Sequence, residues 1–226
     1  MAYTLILRHA DRVPIREDLS TAFTAELTLR GILRCDEMSK LIRSQFDKMH
    51  CIYTSIAPRC YSTGVLLGCF NSAGITPPIV GERSKYGDFS GGYLKEGMMD
   101  SWLRVVADDL QTRQPYSHLM RKWVESGLAH LSRDEYAEHI LSRYLQIINV
   151  IAVTHDTNLA PIAEYLSEKY GFAFTEEMYF PQFLSGLCLL HENGEPSAIK
   201  WIRQPPLVPE TQALPLIETL WEKKSG

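Results

Sequence analysis

Near the start of the chain, Tyr3-Thr4-Leu5-Ile6-Leu7 forms an apolar run of strand-formers with no polar alternation. That is the pattern of a strand buried on both faces of a parallel sheet, which needs helices above and below it. Cys51-Ile52-Tyr53-Thr54 and Val150-Ile151-Ala152-Val153-Thr154 have the same character, and Ile75 to Val80 predicts a further, proline-flanked strand. Between the first two runs a helix starts near Thr28, with Gly31, Cys35, Met38, Ile42 and Phe46 at helical spacing as its buried stripe. Strands alternating with helices predict an α/β fold, a three-layer α/β/α sandwich on a mostly parallel sheet. With 226 residues and 45% hydrophobic side chains, one domain (1–226) with an insertion is expected.

The ends of these strands carry the chemistry. Tyr3–Leu7 runs into Arg8-His9-Ala10-Asp11-Arg12-Val13-Pro14, so two guanidiniums and an imidazole stand at the carboxyl edge, where open α/β sheets bind ligands. Guanidinium forks match phosphate oxygens and stay charged, and a neutral imidazole nitrogen in line with phosphorus can act as nucleophile. The same residues would also suit a surface cluster that merely solvates the strand end. Ser55-Ile56-Ala57-Pro58-Arg59 opens a helix after the second strand, with Ser55 as its cap and Pro58 in the first turn. Arg59 then lies at a helix amino end, where free amides favour anions. Val150–Thr154 ends in His155-Asp156-Thr157-Asn158, followed by a helix capped by Thr157 or Asn158, with Pro161 in its first turn and Gly171 as its stop. A second imidazole, beside a carboxylate at the same sheet edge, repeats the geometry of Arg8-His9.

The remaining segments frame the site. Residues 15–27 read as a loop over it, and 81–92, with four glycines, as a shaped loop. Residues 82–149 predict a helical cap insertion, with a capping box at Ser132-Arg133-Asp134-Glu135. Within it, Tyr86, Tyr93, Trp102 and Arg104 would line either a substrate pocket or the cap's own core. Phe183–His191 and Ala198–Arg203 predict an antiparallel hairpin turned by Asn193-Gly194. The tail, with Pro205, Pro206, Pro209 and Pro215, predicts an extended cover ending in a short helix near Trp221. A net charge of -4 argues against nucleic acid as a partner. Five cysteines without a Cys-x-x-Cys pair predict reduced core thiols. With no apolar signal core and no run of membrane-spanning length, a cytoplasmic location and no membrane partner are expected.

Arg8 to Pro14 resembles the Arg-His-Gly-x-Arg-x-Pro signature of the histidine phosphatase superfamily in its acid phosphatase and phytase branch. His155-Asp156-Thr157-Asn158-Leu159-Ala160 resembles that branch's His-Asp motif, and Ser55 to Arg59 its second-strand arginine segment. The resemblance implies a phosphomonoester hydrolase with His9 as the phosphorylated nucleophile. Arg8, Arg12, Arg59 and His155 would form the phosphate pocket, and Asp156 would be the proton donor. Ala10 stands where the signature has glycine, which requires a negative φ there. The chain length resembles the phosphoglycerate mutase branch instead, and Glu82-Arg83-Ser84-Lys85-Tyr86-Gly87 looks like that branch's acid-bearing loop, which makes Glu82 the alternative donor.

Three arginines balance a phosphomonoester's charge without magnesium, so neither metal nor other cofactor is expected, and the partner is a small phosphorylated substrate. A phosphoglycerate mutase-like phosphotransferase or a non-catalytic binder of phosphorylated ligands would use the same pocket. A metal site built from His9, Asp11, His155 and Asp156 is disfavoured by the adjacent arginines.

Overall fold

The computed structural model describes residues 2–14, 25–46, 49–71, 79–82, 99–207 and 215–223. Its elements are, in chain order, β1 (Ala2–Arg8), α1 (Leu29–Gln45), β2 (Cys51–Ser55), α2 (Pro58–Asn71), β3 (Ile79–Glu82), α3 (Met99–Gln111), α4 (Tyr116–Glu125), α5 (Arg133–Tyr144), β4 (Val150–Thr154), α6 (Asp156–Tyr170), α7 (Glu176–Tyr179), β5 (Gly186–Glu192), β6 (Glu195–Ile202) and β7 (Ile217–Glu222). The strands form one seven-stranded sheet in the order β3-β2-β4-β1-β5-β6-β7. The first four run parallel to one another, and the pairs β1–β5, β5–β6 and β6–β7 are antiparallel. This is an α/β sandwich with helices on both faces.

The missing polar alternation in the central strands has a direct cause. Ile6, Val150 and Ala152 enter a core shared with Tyr116, Leu119, Tyr136, Ile140, Leu159 and Ile162 of α4, α5 and α6. Leu5, Leu7, Ile151 and Val153 face the other way, into a core with Cys35, Met38 and Ile42 of α1 and Cys60 and Leu67 of α2. Both faces of each strand are therefore apolar. The described residues between β3 and β4, from Met99 on, form the helices α3, α4 and α5, and α4 and α5 belong to the first of these layers.

Local signals held in several places. Thr28 caps α1, its hydroxyl accepting from Gly31 N, and Ser132 and Glu135 form the capping box of α5. Gly171 ends α6 in the left-handed region (φ 74°), and Asn193 and Gly194, both at positive φ, turn the β5–β6 hairpin.

Others are corrected. Of the strand expected at Ile75–Val80, Ile79 and Val80 lie in β3, which runs on to Glu82, and residues 72–78 lie outside the described ones. The α6 helix is capped by His155, two residues before Thr157 and three before Asn158, and Pro161 lies inside it rather than in its first turn. Ser55 ends β2 instead of capping α2; the carbonyl of Ala57 accepts the first helical amides, from Cys60 and Tyr61. The tail near Trp221 is a strand, not a helix: β7 pairs with β6, and Trp221 packs on Tyr170 with centroids 4.5 Å apart. Main-chain pairing with β6, supplied by the far side of the sheet, overrode the local pattern. Loops 15–24 and 83–98 lie outside the described residues, and no helix among the described ones is long and apolar enough to cross a membrane.

Candidate active site

Strand register builds the site. Arg8 pairs with Thr154, Thr54 with Val153 and Ser55 with Glu82, so β1, β4, β2 and β3 end level with one another. The residues that follow, His9 and His155, emerge side by side, their ring centroids 5.4 Å apart. Helices α2 and α6 begin at this same edge and direct the positive ends of their dipoles toward it.

His9 is 2% exposed. Its Nδ1 lies 2.8 Å from the Ala10 carbonyl, which can only accept, so Nδ1 carries the proton and Nε2 the lone pair. Arg59 donates Nε–H to that Nε2 at 3.1 Å. Burial, reinforced by the neighbouring His155 and Arg59, holds the His9 pKa well below the usual imidazole value. The ring is neutral at physiological pH. Ala10 is absent from the positive-φ residues, so the alanine sits there without backbone strain. Its amide donates to Thr63 Oγ1 at 3.0 Å, and the same hydroxyl donates to Arg59 O at 2.7 Å, tying the nucleophile loop to α2.

Arg59 also reaches His155, with Nη2 3.2 Å from Nδ1. A guanidinium only donates, so His155 Nδ1 accepts and Nε2–H donates to Ser55 Oγ at 3.1 Å. Burial, followed by Arg59, drives the His155 pKa down as well. Cys60 Sγ lies 3.6 Å from His155 Nε2, and burial pushes its pKa up to about 12, so it stays a thiol.

Arg8 donates Nη1–H to Pro181 O at 2.5 Å, pairs through Nη2 with Asp156 Oδ2 at 2.9 Å, and stacks over the Phe183 ring at 4.3 Å. Its Nε is buried with no hydrogen-bond partner among the described residues. Arg12 donates to its neighbour's carbonyl, Val13 O, at 3.0 Å. Burial first, then the positive charges of Arg59 and Arg8, lower its pKa, so all three guanidiniums share one field. Such crowding is relieved by an anion.

Of the residues the sequence singled out, His9, Arg59 and His155 are in mutual contact, Arg8 pairs with Asp156, and Arg12 borders them. Phe183 lies between Arg8 and His9. Glu82 ends β3 beside Ser55, and its side chain lies outside the described residues. Asp11 turns away from the imidazoles to pair with Arg34. Among the described residues no group of three or more His, Cys, Asp or Glu side chains is placed to hold a metal ion.

Sequence reasoning missed Thr63, Pro181 and Phe183, and gave Ser55 a different task. Thr63 follows Arg59 by one helical turn, a spacing that places both on one face of α2. Pro181 and Phe183 precede β5, which starts at Gly186 rather than at Phe183 as expected, on a turn that carries Leu184 at φ 59°.

Solved structures share this architecture, among them the following three. Phosphoglycerate mutase from Bacillus anthracis str. Sterne superimposes with a TM-score of 0.56 at 13% identity, over 85% of this chain and 89% of that one. The ecdysone phosphate phosphatase from Bombyx mori, in complex with tungstate, gives 0.51 at 13% identity over 95% and 96%. A mycobacterial glucosyl-3-phosphoglycerate phosphatase with VO3 gives 0.50 at 16% identity over 89% and 96%. The chain therefore has the fold of these mutase and phosphatase structures. No family model and no curated protein sequence matches the chain.

Proposed function

We propose that the protein hydrolyses phosphomonoesters through a phosphohistidine on His9. The observation that carries this reading is the neutral His9 ring: its Nδ1 proton is held by the Ala10 carbonyl, and its Nε2 lone pair faces a cluster of guanidiniums. In the first step His9 Nε2 bonds to phosphorus while the ester oxygen leaves, taking a proton from Asp156. In the second, Asp156 accepts a proton from water, the water oxygen bonds to phosphorus, and the N–P bond breaks to release inorganic phosphate.

Arg8, Arg12 and Arg59 balance the charge spread over the equatorial oxygens, with the otherwise unpartnered Arg8 Nε as one donor. Arg59 passes from His9 Nε2 to a phosphate oxygen as substrate enters, which frees the lone pair. His155 lies beside it as a neutral ring anchored by Ser55. Asp156, 42% exposed at the rim and paired with Arg8, stands where a leaving group meets solvent. Glu82, at the end of the neighbouring strand, is the alternative donor. Charge neutralisation by three arginines leaves no step that requires a metal ion. Two of the three solved structures named above hold tungstate or VO3, oxyanions akin to phosphate. The substrate's organic part would be selected by the insertion of residues 82–149.

Release of inorganic phosphate from a generic aryl phosphate, in excess chelator, tests this reading. Wild type should turn over and His9→Ala should not. Most of the rate persisting in His9→Ala would remove the nucleophile assignment, and phosphate found on an acceptor hydroxyl would make the protein a phosphotransferase.

A further inference from the structure

Behind the nucleophile loop, Asp11 and Arg34 form a buried ion pair. Arg34, on α1, donates Nη1–H to Asp11 Oδ1 at 2.6 Å, and the two side chains are 8% and 12% exposed. The largely exposed Arg30 approaches the same oxygen at 3.8 Å. Asp11 Oδ2 and Arg34 Nε are both buried with no hydrogen-bond partner among the described residues. A buried pair that is only half satisfied is a poor source of stability, because desolvation offsets its Coulomb attraction.

Its position gives it another use. Asp11 O accepts from Thr28 N at 2.9 Å, and Gly31 lies so close that a Cβ there would stand 2.3 Å from that oxygen, so the residue is seated on the first turn of α1. Two planar peptide units separate Asp11 from the nucleophile, and the one nearer Asp11, Ala10–Asp11, carries the contact. Its nitrogen belongs to Asp11, and its oxygen, Ala10 O, is the acceptor that holds the His9 Nδ1 proton. Turning Asp11 therefore turns that oxygen. The preceding peptide is pinned from the other side, by Thr63 of α2 through the Ala10 amide. Arg59 meets the ring at Nε2, and the rings of His155 and Phe183 pack beside it at centroid distances of 5.4 and 5.5 Å. The acceptor at Nδ1 is the contact that holds the proton on that nitrogen.

We propose that the Asp11–Arg34 pair is a positioning device for His9: by orienting the Ala10–Asp11 peptide it keeps the ring proton on Nδ1 and the lone pair on Nε2. The ring geometry stands by itself, and only its consequence for turnover rests on the phosphatase reading. Two double substitutions separate positioning from stability. Asp11→Leu with Arg34→Met removes both charges together and leaves neither unpaired, a replacement that buried pairs tolerate. Asp11→Asn with Arg34→Gln keeps a neutral hydrogen bond at the same place.

Nitrogen-15 NMR of histidine-labelled, substrate-free protein reads the tautomer directly. Wild type and the Asn/Gln pair should show His9 as the Nδ1–H form alone, and the folded Leu/Met protein should show both tautomers. Turnover of an aryl phosphate should fall roughly tenfold to a hundredfold in the Leu/Met protein, with KM within about twofold of wild type. If the Leu/Met protein does not fold, Asp11→Asn with Arg34→Met is expected to show the same mixture. A folded variant without the pair that keeps the pure Nδ1–H form overturns the proposal, whatever its activity. Mixed tautomers in a protein whose wild type has no turnover would support the device and refute the phosphatase reading.

Discussion

At the scale of single residues, the site runs on neutral imidazoles among fixed positive charges. His9 and His155 are stripped of their protons by burial and by their guanidinium neighbours, so the nucleophile needs no base to free it. What the chemistry does need is a proton for the leaving oxygen. Asp156→Asn should therefore slow alkyl phosphates more than aryl phosphates with good leaving groups, as read from kcat/KM across a leaving-group series. The same pattern in Glu82→Gln, and not in Asp156→Asn, would transfer the role to Glu82. Arg8, His9, His155 and Asp156 were legible because each stands next to a strand that announces itself by apolar run alone. Phe183 was not, since its contact with Arg8 is made by a turn that pairs with β1 across most of the chain.

Among the elements, α1 shows how a helix serves a loop it does not contain. Gly31 looks like a weak point, since alanine is ordinarily the better helix former by about 1 kcal/mol. Here a methyl would meet the Asp11 backbone, with its oxygen at 2.3 Å and its nitrogen at 3.0 Å. Gly31→Ala should thus destabilise by roughly 1 to 3 kcal/mol in urea unfolding, and unchanged or raised stability would contradict the close packing of α1 on the nucleophile loop. The buried stripe of α1 was legible from spacing, but the approach of Gly31 to Asp11 was not, because it depends on how the helix is seated on the sheet. The same reason hid β7: pairing with β6 decided its conformation, and nothing within its own residues did. Asn193-Gly194 and the Ser132 box were read correctly because their bonds are local.

For the molecule as a whole, the buried histidines tie stability to pH. His9, His155 and His191 all have folded pKa values depressed below the usual 6.5, with burial the leading cause in each. Between those depressed values and 6.5 the unfolded chain binds more protons than the folded one, so stability rises with pH there and is fully present above it. Lowering the pH through 6.5 should reduce unfolding free energy by up to about 1.4 kcal/mol per pH unit for each of the buried rings His9 and His155. Urea midpoints that stay flat from about pH 7 to about pH 5 would show that these rings do not lose protons on folding. The broad architecture was legible in the sequence, but the order of strands was not: that β4 lies between β1 and β2 is what sets His155 beside His9 and Arg59. The convergence of these strand ends on one phosphoryl-accepting nitrogen is tested most directly by trapping the intermediate. Wild type and Asp156→Asn, mixed with an aryl phosphate and quenched in alkali, should carry acid-labile phosphate on the peptide containing His9, and His9→Ala should carry none. Phosphate on a different residue, with turnover intact in His9→Ala, would contradict the account.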